Sequence, residues 1–118
     1  MTTQDVAQMV SGIGLPYAYD HFEEDESPGQ PPYICFLYPS SDHFPADDRV
    51  YQKIKALRIE LYTDEKDLAL EKAVEDALDH AGLIYESDET FLDSEKMYMV
   101  VWETSFLLTS DDHDTNND

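Results

Sequence analysis

Four residues between positions 42 and 48 have side chains of the types that hold divalent cations. They are Asp42, His43, Asp47 and Asp48. Oxygen and imidazole ligands that lie close together in a sequence can bind a divalent ion, so a metal-dependent enzyme is one interpretation of this loop. A chain with 27 acidic residues is also expected to contain such a cluster by composition alone. We therefore predict no metal site; metal content after dialysis and the effect of His43→Ala distinguish the two interpretations.

Nucleophilic catalysis has no recognisable motif in this sequence. It needs a nucleophile held beside a general base, and the GxSxG, P-loop, CxxC and HExxH patterns are absent. The single cysteine, Cys35, lies in the apolar run 33–38 with no neighbouring histidine, so we interpret it as a small core residue without a disulfide partner. The prediction is a protein that is not an enzyme, with no catalytic residues and no cofactor.

Length and composition indicate one small domain with a strongly acidic surface. Of the 118 residues 42% are hydrophobic and 12% aromatic, which is enough for a core. We place a single domain at 1–108 and a disordered acidic tail at 109–118. The formal net charge of -20 disfavours specific nucleic-acid binding and anionic membranes, and the sequence shows neither a secretion signal nor an apolar run of membrane-spanning length.

A strand that leads into a helix forms the centre of the chain. Leu57, Ile59 and Leu61 alternate with polar residues, which is typical of a strand with one buried face. Apolar residues then recur with helical spacing from position 70 to 81, and the stripe includes Val74 and Leu78. We expect Asp64 to cap the start of this helix and Gly82 to end it. A change in the parity of the apolar positions near Ala56 also predicts a β-bulge or a bend there.

The remaining segments supply a second helix and further strands. Residues 6–13 have helical spacing after Thr2, which can form a capping box with Asp5. Residues 15–22 are extended and form either a sheet strand or an arm toward a neighbour. Residues 33–38 read as the central strand, and residues 83–92 and 96–108 as a hairpin in which Trp102 lies on the core face. The predicted fold class is α+β, a mainly antiparallel sheet of four or five strands with two helices packed on one face.

Six residues are candidates for contact with another subunit. They are Phe44, Pro45, Arg49, Lys53, Lys55 and Arg58. The first two are apolar residues in a polar loop, and they can anchor a partner or cover the chain's own core. The four bases can meet acidic surface on a second copy or balance acids within one molecule. If copies of the chain meet through these bases, replacing all four by glutamate is expected to impair assembly while sparing the fold of the monomer.

Seven short stretches, taken in order and spacing, resemble one protein family. They are HFEE at 21–24, PYI at 32–34, SDHFPAD at 41–47, VY at 50–51, RIELYTD at 58–64, KD at 66–67 and SEKMY at 94–98. In these stretches the chain resembles the tail-terminator or tail-completion proteins of long-tailed phages and prophages of Gram-positive bacteria. Proteins of this kind resemble one another in having helices on one side of a largely antiparallel sheet.

The resemblance implies a structural role in virion assembly. Copies would form a ring, typically a hexamer, at the head-proximal end of the tail tube, where the ring stops tube growth and joins the tail to the head connector. The partners implied are further copies of the chain, the tail tube protein and the head-connector protein. The location implied is the host cytoplasm during assembly and then the virion tail. The alternative, which the charge of -20 favours equally, is an acidic DNA mimic that inhibits a DNA-binding host enzyme.

Overall fold

The fold consists of two helices and a five-stranded sheet. The computed structural model describes residues 1–23, 29–39 and 53–109. In chain order the elements are α1 (Thr3–Ser11), β1 (Tyr17–Tyr19), β2 (Tyr33–Leu37), β3 (Lys53–Thr63), α2 (Leu68–His80), β4 (Tyr85–Leu92) and β5 (Met97–Leu108). The predicted α+β class is confirmed, and β4 and β5 form the predicted hairpin.

The strands are arranged in the order β1-β2-β3-β5-β4. Strand β1 pairs in parallel with β2, whereas the other three pairings are antiparallel, so the sheet is mixed but mostly antiparallel as predicted. Of residues 15–22, which were predicted to be either a sheet strand or an arm, Tyr17–Tyr19 thus forms an edge strand of the sheet. Strand β2 is an interior strand with both faces buried at Ile34 and Cys35, but β3 occupies the centre. The prediction that residues 33–38 form the central strand is therefore wrong, because they form its neighbour in the sheet.

Both helices pack on the same face of the sheet. The buried core consists of residues from α1, α2, β2, β3 and β5: Val6, Val10, Ile34, Phe36, Leu57, Ile59, Leu61, Val74, Leu78, Val100, Trp102 and Phe106. Trp102 is fully buried opposite Ile59, and its indole Nε1 donates a hydrogen bond to Glu75 Oε2 of α2 at 2.9 Å. The helical stripe of α2 and the core face of β5 are thus where the sequence placed them.

The helix ends follow local side-chain chemistry. Helix α1 has the predicted capping box, in which Thr2 and Asp5 each bond the other's backbone. The prediction of Asp64 as the cap of α2 is wrong, because the cap is Asp67, whose carboxylate accepts from the Leu70 N–H at 3.1 Å. Asp64 and Asp67 can both accept a hydrogen bond from a helix N-terminus. Asp67 is the cap because its backbone is extended and the helix begins directly after it. Gly82 has the predicted positive φ, 77°, after the helix.

Strand β3 has no β-bulge at Ala56, so the bulge predicted there is wrong, while the alternative of a bend stays a prediction. Every pair from Lys53↔Leu108 to Thr63↔Tyr98 keeps one continuous register with β5. Ile54 therefore lies on the face opposite the core, where it is 41% exposed across from Leu107. The apolar positions change parity along β3 because Ile54 is a partly exposed residue on the other face, and not because the strand contains an extra residue.

Candidate functional site

The sheet face opposite the helices, called here the second face, carries the most varied side chains. The strand register arranges them in rows that cross β2, β3, β5 and β4. Three adjacent rows are Tyr33-Tyr62-Met99-Thr90, Cys35-Glu60-Val101-Asp88 and Leu37-Arg58-Glu103-Glu86. One end of the second face is therefore aromatic and rich in thioether sulfur, and the next rows are ionic. Neither described helix lies on this face.

An ion-pair and hydrogen-bond network occupies the centre of the second face. Arg58 Nε donates to Glu60 Oε2 at 2.7 Å, and Arg58 Nη1 donates to Glu103 Oε2 at 3.0 Å. The hydroxyl of Tyr62 donates to the other oxygen of Glu60 at 2.7 Å. Because the side chain of Glu60 is only 13% exposed, this carboxylate depends on these two donors. Burial, with help from the hydrogen bond to Glu60, raises the pKa of the Tyr62 hydroxyl, so Tyr62 stays protonated and able to donate.

The aromatic end of the second face forms a groove of about 690 Å³. We call it the aromatic groove. Its floor consists of Phe22, Tyr33, Tyr62, Leu92, Met97 and Met99. The ring centroids of Phe22 and Tyr33 are 5.5 Å apart, and those of Tyr33 and Tyr62 are 5.0 Å apart. The Tyr33 hydroxyl points to Met97 Sδ at 4.0 Å. Three separate segments thus contribute adjoining rings to one concave surface.

Ionisable side chains form the rim of the aromatic groove. They are Asp20, His21, Glu23 and Glu95. His21 Nδ1 lies 3.2 Å from Asp20 Oδ2, and His21 Nε2 lies 3.3 Å from Glu23 Oε2. The hydrogen bond with Asp20, followed by the charge of Glu23, raises the pKa of His21 above its ordinary value. Three carboxylates against one imidazole make the rim predominantly acidic at neutral pH.

The thiol of Cys35 lies next to the aromatic groove, and its chemistry can be predicted from its environment. Burial, together with the charges of Glu60 and Asp20, raises the pKa of Cys35 from 9.0 to about 11. Because the thiolate is the reactive form, Ellman's reagent at pH 8 should modify the folded protein at least ~10-fold more slowly than the chain in guanidinium chloride. Rapid modification of the folded chain would contradict this assignment.

The same shift in pKa predicts how Cys35 affects stability at alkaline pH. The unfolded chain loses the thiol proton near pH 9 and the folded chain near pH 11. Between these values the unfolded state binds fewer protons, so the contribution of Cys35 to the free energy of unfolding falls as the pH rises. Tyrosines also titrate in this range, so the wild-type pH dependence does not report on Cys35 alone. The Cys35→Ala variant removes only the thiol and leaves the tyrosines unchanged. Its unfolding free energy should therefore decline less steeply over this interval than that of the wild type.

The structure describes only part of the predicted subunit-contact set. Phe44, Pro45 and Arg49 lie outside the described residues, and Lys53 is described only as the first residue of β3. Lys55 lies on the helix-bearing face, with Nζ 5.3 Å from the ring centroid of Tyr38. Arg58 lies on the second face.

This arrangement changes the design of the charge-reversal experiment. Lys55 and Arg58 do not belong to one surface, because they project from opposite faces of β3. A glutamate at position 58 would also face Glu60 and Glu103 in its own chain, so reversing all four bases would disturb folding as well as assembly. Lys55→Glu is the cleaner variant for testing assembly.

The aromatic groove was not predicted from the sequence. The available signal was the presence of Tyr62, Met97 and Met99 at positions whose neighbours along the strand face the core. Apolar side chains on the face away from the core indicate a contact surface more clearly than charged ones do.

The described residues contain neither a cluster of metal-binding side chains nor a membrane-spanning helix. Within residues 1–23, 29–39 and 53–109, no three or more His, Cys, Asp and Glu side chains are arranged to hold a metal ion. The cluster of possible metal ligands at 42–48 lies outside the described residues, and so does the predicted tail at 109–118 after its first residue. In the described part of the chain, neither helix has the length and apolar character needed to cross a bilayer.

No protein-family model matches the sequence, and a search of curated proteins finds no match either.

Proposed function

We propose that this chain is a structural subunit of virion assembly, a tail terminator or tail-completion protein. In this role its copies form a ring at the head-proximal end of the tail tube, stop tube polymerisation and join the tail to the head connector. The proposal is supported by the family resemblance of the sequence stretches between residues 21 and 98. It is also supported by the fold, two helices on one side of a mostly antiparallel sheet, which is the architecture that the resemblance implies.

The observation that carries the proposal is the uneven chemistry of the second face. A sheet face that only meets water is usually polar along its whole length. Here tyrosines, methionines and Leu92 occupy one end of that face, beside a central ionic network. Such a surface is suited to contact with other protein subunits, which is what a ring between tube and connector requires.

The net charge of -20 has a physical role in the same proposal. DNA that moves through a virion tail needs a channel that does not retain phosphate. An acidic lining repels the backbone, and it does so most strongly at low ionic strength. The exposed carboxylates Glu86 and Asp88 of β4 are examples of groups that could line such a channel.

Deletion of the coding sequence from the phage or prophage tests the proposed function directly. Without a terminator, tail tubes should grow past their normal length and fail to join heads, as seen by negative-stain electron microscopy. Supplying the wild-type chain in trans should restore uniform, head-joined tails. Tails of normal length and full infectivity in the deletion strain would refute the proposal.

The second candidate, a DNA mimic, is favoured by the charge alone. A mimic acts as a monomer or dimer, and it is displaced from its target enzyme by duplex DNA. A terminator forms a ring with its tube partner. Light scattering of the chain alone and with the tube protein separates the two, because only the terminator should increase in mass to that of a closed ring.

A further inference from the structure

We propose that the aromatic groove binds an arginine- or lysine-bearing segment of a basic partner protein. The cation would lie over the tyrosine rings, its aliphatic stem against the methionines, and its charge beside the carboxylates of the rim. This inference rests on the proposed function only for the partner's place in the virion. The binding chemistry is argued from the groove itself, whose volume of about 690 Å³ admits several side chains.

The floor of the groove presents ring faces to an incoming cation. The rings of Tyr33 and Tyr62 lie 5.0 Å apart at an interplanar angle of 32°, so the two form a nearly continuous aromatic surface. Burial raises the pKa of both phenols, which keeps them neutral. A cation within about 6 Å of such a ring is attracted by its quadrupole. The chain already makes this contact elsewhere, since Lys55 Nζ is 5.3 Å from the centre of the Tyr38 ring.

The rim of the groove selects a positively charged occupant. Asp20, Glu23 and Glu95 border the rings, and His21 is the one imidazole among them. Carboxylates next to an aromatic floor favour guanidinium or ammonium groups, while the thioethers of Met97 and Met99 adapt to the shape of the stem. The rim would repel an acidic segment, and a purely apolar segment would desolvate the rim carboxylates without neutralising their charge.

A second copy of the chain does not fit this requirement well. Of the lysines and arginines whose side chains the structure describes, Arg58, Lys66 and Lys72 are already paired with carboxylates of their own chain. Lys55 lies over its own Tyr38, and Lys96 is the exception. A chain with a net charge of -20 also repels its copies over most of the surface. Charge complementarity therefore indicates a different protein, one rich in arginine or lysine.

Peptide binding to the full-length chain tests the proposal. The probe is a fluorescein-labelled octapeptide of alternating arginine and valine. The control peptide has citrulline, which is uncharged, in place of each arginine. Fluorescence anisotropy should show binding of the arginine peptide and about tenfold weaker binding of the citrulline peptide. Tyr33→Leu, which removes a ring but keeps an apolar side chain, should weaken the arginine peptide about fivefold.

Matched charge variants separate the groove from general attraction to an acidic surface. The rim variant is Asp20→Asn, Glu23→Gln and Glu95→Gln, and the control variant is Asp64→Asn, Glu65→Gln and Glu86→Gln. Both remove three exposed carboxylates and give the same net charge. We expect about tenfold weaker binding for the rim variant and less than about a twofold change for the control. Circular dichroism melting verifies that each variant is folded.

Three outcomes would overturn the inference. The first is equal weakening in the rim and control variants, which would mean nonspecific attraction. The second is no binding, or binding unaffected by Tyr33→Leu and the rim variant. The third is a self-associated wild type that the rim variant dissociates in light scattering, which would make a second copy the occupant. None of these results bears on tail length in the deletion strain, so failure here is distinguishable from failure of the proposed function.

Discussion

Replacing Trp102 by alanine is expected to lower the free energy of unfolding by about 3–5 kcal/mol. The indole is fully buried, opposite Ile59 in the sheet, and its Nε1 donates to Glu75 Oε2 at 2.9 Å. Alanine would leave a cavity beneath α2 and an acceptor without its donor. Domains of this size are commonly stable by only about 5–15 kcal/mol, so the loss is a large share of the total.

Urea unfolding followed by circular dichroism measures this effect, because the only tryptophan, and with it most of the fluorescence signal, is removed. Ile84→Ala is the matched control. Ile84 is 89% exposed, so its truncation should change the unfolding free energy by less than about 0.5 kcal/mol. Trp102→Phe separates the cavity from the hydrogen bond, since it retains most of the ring volume but no donor. Equal stabilities for Trp102→Ala and Ile84→Ala would show that Trp102 is not in the core.

The parts of the fold that the sequence predicted correctly are those specified by short-range patterns. The capping box of Thr2 and Asp5 places four residues in one turn, so the start of α1 can be read directly. Val74 and Leu78 are one helical turn apart, which identifies the buried side of α2. Alternation along β5 likewise identifies the face that carries Trp102. Each of these features depends on neighbours within a few positions.

The errors arose where two local solutions have similar energies or where distant segments decide the outcome. Asp64 and Asp67 can each cap a helix, and the choice depends on where β3 ends. Ile54 resembles a core residue by type, but the register with β5 places it on the second face. The parallel pairing of β1 with β2 joins two segments that a proline-rich stretch of the sequence separates, and no local pattern specifies this pairing.

The candidate site was less predictable than the fold for the same reason. The aromatic groove joins Phe22, Tyr33, Tyr62 and Met97, which come from four separate segments and meet only through strand order and register. Single-sequence periodicity indicates which residues share a face of one strand. It does not indicate which residues become neighbours across strands. Residues that are close in sequence can likewise lie far apart on the surface. Lys55 and Arg58 were predicted to share a contact surface because they are close in sequence, but they project from opposite faces of β3.

Replacing Glu60 by alanine is expected to lower the free energy of unfolding by about 1–3 kcal/mol. Its carboxylate is 13% exposed and accepts from Arg58 Nε and from the Tyr62 hydroxyl, each at 2.7 Å. Alanine would leave Arg58 Nε and the Tyr62 hydroxyl without their acceptor, although Arg58 Nη1 keeps Glu103. Losing an acceptor for partly buried donors is costlier than losing an exposed ion pair. Urea unfolding measures the change. The control is Glu86→Ala, an exposed acid on the same face, with an expected effect below about 0.5 kcal/mol.

A double-mutant cycle assigns part of this loss to one contact. Tyr62→Phe removes the hydroxyl donor and keeps the ring, so the cycle with Glu60→Ala isolates the hydrogen bond between the two side chains. We expect a coupling of about 0.5–1.5 kcal/mol, with the double variant less destabilised than the sum of the single ones. If the two effects instead add within about 0.3 kcal/mol, the hydroxyl does not depend on Glu60 in the folded protein. Glu60 and Tyr62 would then contribute to stability independently, and the 2.7 Å contact between them would not stabilise the second face.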